Sequence, residues 1–296
     1  MLLRQNKDLS YKNLYLPNKN ILSGGRRTKD NYENRNYLFS IITIVLNRNN
    51  YIEETIKSVI KQNIDIQYIL IDGGSTDGTL DIIKKYDNFI DLWISEKDFG
   101  NWDALNKGIQ YSSGEYIGII NAGDLYNTNA LSTIKNYLTK DEKFDFIFGT
   151  VNKKILKYGF NKNKIYWSFD FYPSHSTGFF ISNKTQKKVG LYDTNFKLSA
   201  DYDFFFRLIK NGFKGIATKE NELIGYFTKD GGSYSSRTIF FDQLNEEINI
   251  RLNNKQNVLS ILFVILLNYI LKISKNEKRS ISLNQCINLI KKCFQG

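Results

Sequence analysis

The stretch YILIDGGSTDGT, residues 68–79, decides how this chain is read. A fully apolar run ends in Asp72, followed by Gly73-Gly74, a Ser-Thr pair and Asp77-Gly78. An uninterrupted apolar run of strand length is the pattern of a strand buried on both faces. Its last residue is nevertheless a carboxylate, and the glycines remove side chains where a ligand can approach the backbone. Two readings fit these residues alone. One is a glycine turn with two capping aspartates; the other is a strand end that offers Asp72 to a nucleobase N–H or to ribose hydroxyls.

The flanking sequence alternates. LFSIITIVLN, beginning at Leu38, is a second buried-strand run. NNYIEETIKSVIKQ then sets Ile52, Ile56, Val59 and Ile60 on one helical face, with Asn50 as the expected cap and Glu53 three residues on. After strand 66–72 the pattern predicts helix 77–86, strand 90–95, helix 101–111 and strand 115–120. This order implies an α/β fold with a parallel sheet, whose ligands bind beyond the carboxyl ends of the strands. KFDFIFGTV, TGFFIS and ELIGYFT read as further strands, and SADYDFFFRLIKNG as a helix closed by Gly212.

Two further segments deliver acidic groups to the same rim. GIINAGDLY ends a strand near Asp124, and SEKDFGNWDALNKG puts Glu96, Asp98, Trp102, Asp103 and Asn106 on a loop and helix start. Carboxylates from three strand ends make a site for a sugar nucleotide and for Mn²⁺ or Mg²⁺, which favour oxygen ligands and bridge diphosphates. Asp203 and Arg207, four apart on a helix, are expected to pair on its surface. Asp201 has Phe205 at that spacing instead. A single histidine, His175, allows no Ser/His/Asp triad, and no G-x-x-x-x-G-K-[ST] loop occurs.

The chain has 296 residues, 42% apolar, enough for one large domain or a domain with an appendage. Its net charge of +11 is concentrated at the ends. Residues 1–37 hold eight Lys/Arg against three Asp/Glu, and residues 251–296 hold eight against one, so the body between is nearly neutral. A nucleic-acid binder would carry its basic stripe on the folded body; basic ends point to an anionic membrane surface. Cys286 and Cys293, seven apart on a predicted helix, cannot bond each other and build neither a disulfide scaffold nor a Cys-based zinc site, which suits a reducing compartment. The opening residues lack a sustained apolar region, so no secretion signal is expected and a cytoplasmic location is. The most apolar stretch, VLSILFVILLNYILKI (258–273), would span about 24 Å as a helix, short of the roughly 30 Å hydrocarbon core. It is expected to lie buried or at an interface. Lys272, Lys275, Lys278 and Arg279 flank it, each worth about 1 kcal/mol near an anionic leaflet. The alternative is a helical hairpin packed on the protein or on a second copy.

The blocks SIITIVLNRNNYIEETIKSVIKQ, IDGGSTDGT, SEKDFGNWDALNKG, GEYIGIINAGD and SADYDFFFRL, taken in order, resemble a family-2 glycosyltransferase with the GT-A fold, of the bacterial type that builds capsule, O-antigen and colanic-acid-like polysaccharides. The resemblance covers roughly residues 38 to 228. It implies a GT-A, Rossmann-like, mixed and mainly parallel sheet flanked by helices, with a C-terminal helical appendage. The expected division is a basic extension at 1–37, a glycosyltransferase domain at 38–235 and a basic, helical region at 236–296 suited to a membrane surface.

By the resemblance, Asp72 with Gly74 holds the donor's nucleoside, and Asp124 is the surviving carboxylate of the DxD-type metal motif. Asp98, Asp103 and Asn106 line the donor sugar, and Asp201 is the base that deprotonates the acceptor hydroxyl. His175 is either a contact to phosphate or acceptor, or a structural histidine. Trp102, where the family often has Tyr, either stacks on an acceptor sugar or packs in the core. The metal motif departs from the family pattern, reading Asn121-Ala122-Gly123-Asp124 with one carboxylate. The resemblance implies a nucleoside-diphosphate sugar donor, UDP favoured, with Mn²⁺ or Mg²⁺ as cofactor. It also implies a glycan or polyprenyl-diphosphate-linked acceptor; the basic ends and neutral body add the expectations of peripheral attachment to the inner face of the cytoplasmic membrane and of no nucleic acid, and homo-oligomerisation through the C-terminal helices is a further expectation. The competing reading keeps the fold without catalysis: a nucleotide-sugar-binding or scaffolding protein.

Overall fold

In the computed structural model, which describes residues 21–33, 35–138, 144–167, 175–228 and 237–274, the run FSIITIV forms the middle of a large sheet. The strands are β1 (Leu22–Gly24), β2 (Phe39–Val45), β3 (Ile66–Asp72), β4 (Leu92–Ser95), β5 (Tyr116–Ile119), β6 (Leu125–Tyr126), β7 (Phe146–Phe148), β8 (Thr150–Lys153), β9 (Ile155–Lys157), β10 (Phe179–Ser182), β11 (Gly215–Ala217) and β12 (Leu223–Tyr226). The helices are α1 (Ile52–Ile60), α2 (Thr79–Lys85), α3 (Asn101–Tyr111), α4 (Ala130–Leu138), α5 (Lys164–Trp167), α6 (Asn183–Val189), α7 (Ala200–Lys210), α8 (Arg237–Asn253) and α9 (Val258–Ser274). Eight strands lie in the order β1-β4-β3-β2-β5-β10-β7-β11, and a second sheet runs β6-β12-β8-β9.

Strands β4, β3, β2 and β5 are mutually parallel, as the alternation predicts; β1 and β10 pair antiparallel with β4 and β5. The two-residue period of a strand assigns side chains to opposite faces. Ile42 of β2 joins Phe146, Phe148, Phe179 and Ile181 beneath α3 and α7, whereas Phe39, Ile41 and Val45 join Ile147 and Phe180 beneath α1, α2 and α4. From β2 the chain builds β3 and β4 to one side and β5 to the other. The strand order therefore switches between β2 and β5, and the crevice beyond their carboxyl ends is where α/β sheets bind ligands.

Several expectations change in detail. KFDFIFGTV is two strands, because the chain leaves the large sheet at Gly149 and enters the small one as β8. A Cβ at Gly149 would come within 2.3 Å of Ile224, so only glycine passes this crossing. Asn50 does not cap α1: Tyr51 occupies the N-cap position with no side-chain capping bond to the helix, and Glu53 accepts from Tyr86 Oη at 2.8 Å. The Asp203–Arg207 pair (2.9 Å) is buried, not on the surface, since Arg207 also donates to the carbonyls of Val189 and Leu191. Part of the basic N-terminal extension belongs to the sheet. Leu22–Gly24 pairs with β4, and Arg26 reaches the fully buried Asp91 at 2.8 Å.

Beyond the sheet, α8 is anchored by Arg251, which is fully buried and donates to the Tyr166 carbonyl at 2.8 Å. On α9, Ile261, Val264 and Ile265 are buried while Leu259, Phe263 and Leu266 are exposed. Among the described residues no helix is long and apolar enough to cross a membrane. Cys286, Cys293, Lys275, Lys278 and Arg279 lie outside the described residues, as does the side chain of Lys272.

Candidate functional site

The carboxyl ends of β3 and β4 are tied together at Asp72. Its buried carboxylate accepts from Ser95 Oγ at 2.6 Å and from the Ser75 backbone N–H and hydroxyl. The turn that follows is held to the end of β2. Asn49 N–H and Asn47 Oδ1 bond to Asp77 and to Thr76 N–H, and Arg48 N–H donates to Thr79 Oγ1. Gly74 has a φ of +85°, a conformation glycine adopts without strain. At Gly73 a Cβ would lie 2.4 Å from Asp98 Oδ2, so the missing side chain lets the Asp98 carboxylate settle against the backbone just past the strand end. The opening motif thus forms a pre-shaped, oxygen-rich ledge.

Two strands away, Asp124 closes the turn after β5. Strand spacing of about 4.8 Å puts these two ends roughly 10 Å apart across the switch point. Thr55 of α1 holds the turn: its hydroxyl accepts from Gly123 N–H and donates to the Asp124 carbonyl, both at 2.9 Å. The Asp124 carboxylate is 3% exposed, accepts from Thr177 Oγ1 (3.0 Å) and Thr228 N–H (3.3 Å), and lies 3.4 Å from His175 Nδ1. Burial pushes Asp124 up to about 7 and His175 down to about 3. Desolvation disfavours the charged form of each group, so the imidazole beside Asp124 is neutral at pH 7 and the two do not form an ion pair. His175 also stacks against Phe227 (4.6 Å between centroids), and Lys153 Nζ sits 4.5 Å from that ring.

The expected divalent-ion site at Asp124 is not assembled. Both carboxylate oxygens are engaged by protein donors, the Asn121 amide bonds Ser176 Oγ at 3.0 Å, and no group of three His, Cys, Asp or Glu converges among the described residues. A single carboxylate whose two oxygens are already engaged does not by itself build a resident site for Mn²⁺ or Mg²⁺, which take several oxygen ligands.

A third cluster joins the starts of α3 and α7. Trp102 donates from Nε1 to the Lys197 carbonyl (3.0 Å) and stacks on Tyr192 at 5.3 Å, which stacks in turn on Phe204. Asp103 accepts from Phe99 N–H and pairs with Lys107, which also reaches Glu96 at 2.8 Å. Asn106, expected at the donor sugar, is buried with its amide clamped to both the N–H and the carbonyl of Tyr192 (2.9 and 2.8 Å); its role is to hold that backbone.

Asp201 stands in the first turn of α7, half-buried, and accepts from Tyr202 N–H at 2.8 Å. Burial lifts its pKa to about 6, with Glu246 adding to the rise. No cation lies within ion-pair distance of it among the described residues. Asp203 is locked to Arg207. The segment before α7 is gripped from α8, where Glu246 accepts from the N–H groups of Lys197, Leu198 and Ser199, each at 2.9 Å. Motif reading missed Glu246, Thr55, Thr177, Ser95 and Lys153. Only Thr55 carries a signal, as a polar residue on the otherwise apolar face of α1.

Comparisons with known proteins bear on the family and the fold. The family model for "Glycosyl transferase family 2" matches residues 40–202, more than half of the chain. An uncharacterized glycosyltransferase of Rickettsia typhi is 30% identical over 188 residues, 58% of this chain and 59% of that protein, so the chain matches well under two thirds of that relative's length. A PGL/p-HBAD biosynthesis glycosyltransferase of Mycobacterium tuberculosis is 27% identical over 183 residues, covering 59% of this chain and 70% of the relative. In overall fold, the chain is similar to S. aureus TarS 1-349 in complex with UDP-GlcNAc (TM-score 0.63, 17% identity, 87% of this chain and 80% of that one). It is also similar to the mannosyltransferase PcManGT of Pyrobaculum calidifontis, in complex with GDP-Man and Mn²⁺ (TM-score 0.56, 12% identity, 88% and 81%).

Proposed function

The chain belongs to glycosyl transferase family 2, and on that premise we propose that it moves a sugar from a nucleoside diphosphate sugar to a hydroxyl of a glycan acceptor, inverting the anomeric centre. The observation that carries this reading is Asp201: a half-buried carboxylate with a pKa near 6, next to an aspartate already neutralised by a buried arginine. At neutral pH such a group is ionised and able to accept a proton. The acceptor oxygen attacks the anomeric carbon as its proton passes to Asp201, and the bond to the diphosphate breaks with its electron pair on the leaving oxygen. Asp72, with Gly74 and the two hydrogen-bonded segments 47–49 and 75–79, receives the nucleoside. Asp98 and Asp103 face the donor side, and Trp102 braces the segment that precedes Asp201.

A UDP-sugar is the favoured donor, in line with the UDP-GlcNAc and UDP complexes of TarS; the GDP-Man complex of PcManGT keeps guanosine in the test panel. The divalent ion expected from the resemblance meets a single engaged carboxylate here, and no step is assigned to it.

The acceptor proposed is a lipid-linked glycan of surface-polysaccharide assembly, met at the cytoplasmic face of the membrane. Its support is the exposed apolar stripe of α9, Leu259, Phe263 and Leu266, with Trp167 against Phe263, followed by the basic run from Lys272 to Arg279. Co-sedimentation with anionic vesicles tests this, and a stable homodimer that ignores vesicles would assign the stripe to a second copy instead. For the reaction itself the test is Asp201→Asn. Transfer from the nucleotide sugar should fall by about 10²–10⁴-fold, the range of a positioned general base, with donor affinity retained. An unmodified protein that binds nucleotide and never turns over would favour the non-catalytic reading.

A further inference from the structure

With the nucleoside docked at Asp72 as proposed, a diphosphate that continues from there along the carboxyl edge, across the switch point toward Asp124, ends among groups that do not welcome an anion. Asp124 is itself a buried carboxyl group, and the His175 ring beside it, at 3.4 Å, is packed against Phe227. A leaving diphosphate gathers negative charge at this end and needs a positive counterpart. In place of a second acidic residue to recruit a metal ion, the motif has Gly123, whose φ of +108° turns the chain sharply ahead of Asp124.

The neighbouring small sheet supplies what is missing. β6 follows directly on Asp124, pairs with β12, and β12 runs parallel to β8, so the last residue of β8 is carried to the same edge. That residue is Lys153. It is exposed, its Nζ lies 4.5 Å from the centre of the Phe227 ring, and Phe227 packs on His175, itself 3.4 Å from Asp124. Among the described residues no carboxylate sits within ion-pair distance of its ammonium. Its charge is felt by both Asp124 and His175. The phenyl face steadies the ammonium by cation–π attraction without neutralising it.

We propose that Lys153 supplies the positive charge facing the donor diphosphate, and that it serves as the leaving-group-stabilising residue where the one-carboxylate motif does not assemble a metal site. The inference rests on the glycosyltransferase reading, and the experiment separates the two. Binding of UDP, GDP and dTDP, and of the matching nucleosides, is measured calorimetrically for the unmodified protein, Lys153→Ala and Lys153→Arg, each with EDTA and with Mn²⁺, alongside thermal unfolding.

The proposal predicts that the preferred diphosphate binds the unmodified protein in EDTA. It also predicts that Lys153→Ala weakens that binding by about tenfold to a hundredfold, the worth of one charge-assisted contact, while nucleoside affinity and unfolding temperature stay unchanged. Lys153→Arg should recover most of the loss. Binding that collapses in EDTA, or that is the same in Lys153→Ala, would overturn the role of Lys153 and leave the enzyme reading intact. An unmodified protein that binds none of the diphosphates under either condition would overturn the reading itself and the lysine's role with it.

Discussion

Glu246 offers a quantitative prediction because one carboxylate serves three backbone donors. Helix α7 begins at Ala200, and its first turn would leave N–H groups without partners. Glu246 reaches across from α8 and accepts from three consecutive N–H groups just before that turn, each at 2.9 Å. Hydrogen bonds to a charged group contribute roughly 1.5–3 kcal/mol each, but these three share one half-buried carboxylate, so about 3 kcal/mol in total is a reasonable expectation for Glu246→Ala. At about 2–4 °C per kcal/mol for a chain of this size, the unfolding midpoint should fall by roughly 6–12 °C. The same segment carries the Lys197 carbonyl that receives Trp102 Nε1, so loosening it should lower kcat more than it raises KM. Glu246→Gln removes the charge with little change in shape. It should cost about half as much stability and move the acidic limb of the rate profile to lower pH, since Glu246 raises the pKa of Asp201. Scanning calorimetry together with a pH–rate profile reads both effects; an unfolding midpoint unchanged within about 1 °C in Glu246→Ala would refute the reasoning.

Other perturbations test neighbouring links. Arg207→Met removes the guanidinium that pairs with the buried Asp203 and donates to the Val189 and Leu191 carbonyls, so it should cost about 3–5 kcal/mol in denaturant unfolding. Burial lifts Asp201 to about 6, so transfer should decline as pH falls through 6, and Asp201→Asn should abolish that limb; burial also lifts Asp124, to about 7. For stability the sign is opposite. Both carboxyls bind protons more readily folded than unfolded, so their ionisation penalty is felt above these values and eases as pH falls from 7 toward 4; Asp201→Asn should flatten that slope in unfolding measured across the window.

The strands and helices from Phe39 to Ile119 were readable because each rests on a local pattern. Apolar runs bounded by polar turns gave β3 and α3 their observed limits at Ile66–Asp72 and Asn101–Tyr111. The rim was readable for the same reason, since a carboxylate at the end of a buried strand is a local anomaly. What escaped is set by distant partners. The spacing of Asp203 and Arg207 reveals a pair but not its burial, which depends on carbonyls sixteen and eighteen residues away. Asn106 looks like any polar helix residue until Tyr192 is folded against it, and Glu246 acts on a segment nearly fifty residues earlier. Gly149, one glycine inside an apolar run, is too slight a mark to announce a change of sheet. Lys153 gains its meaning only because β12 brings β8 alongside Asp124.

The most direct test of the central claim, that the ledge at Asp72 and the turn at Asp124 receive a nucleoside diphosphate sugar, is thermal stabilisation of the purified chain by UDP, GDP, dTDP and CMP. Each is run in EDTA and in Mn²⁺. The account predicts that one nucleoside diphosphate raises the unfolding midpoint, by an amount that grows with its concentration as RT ln(1 + [L]/Kd) requires. A midpoint that none of the four moves, with or without Mn²⁺, would contradict it.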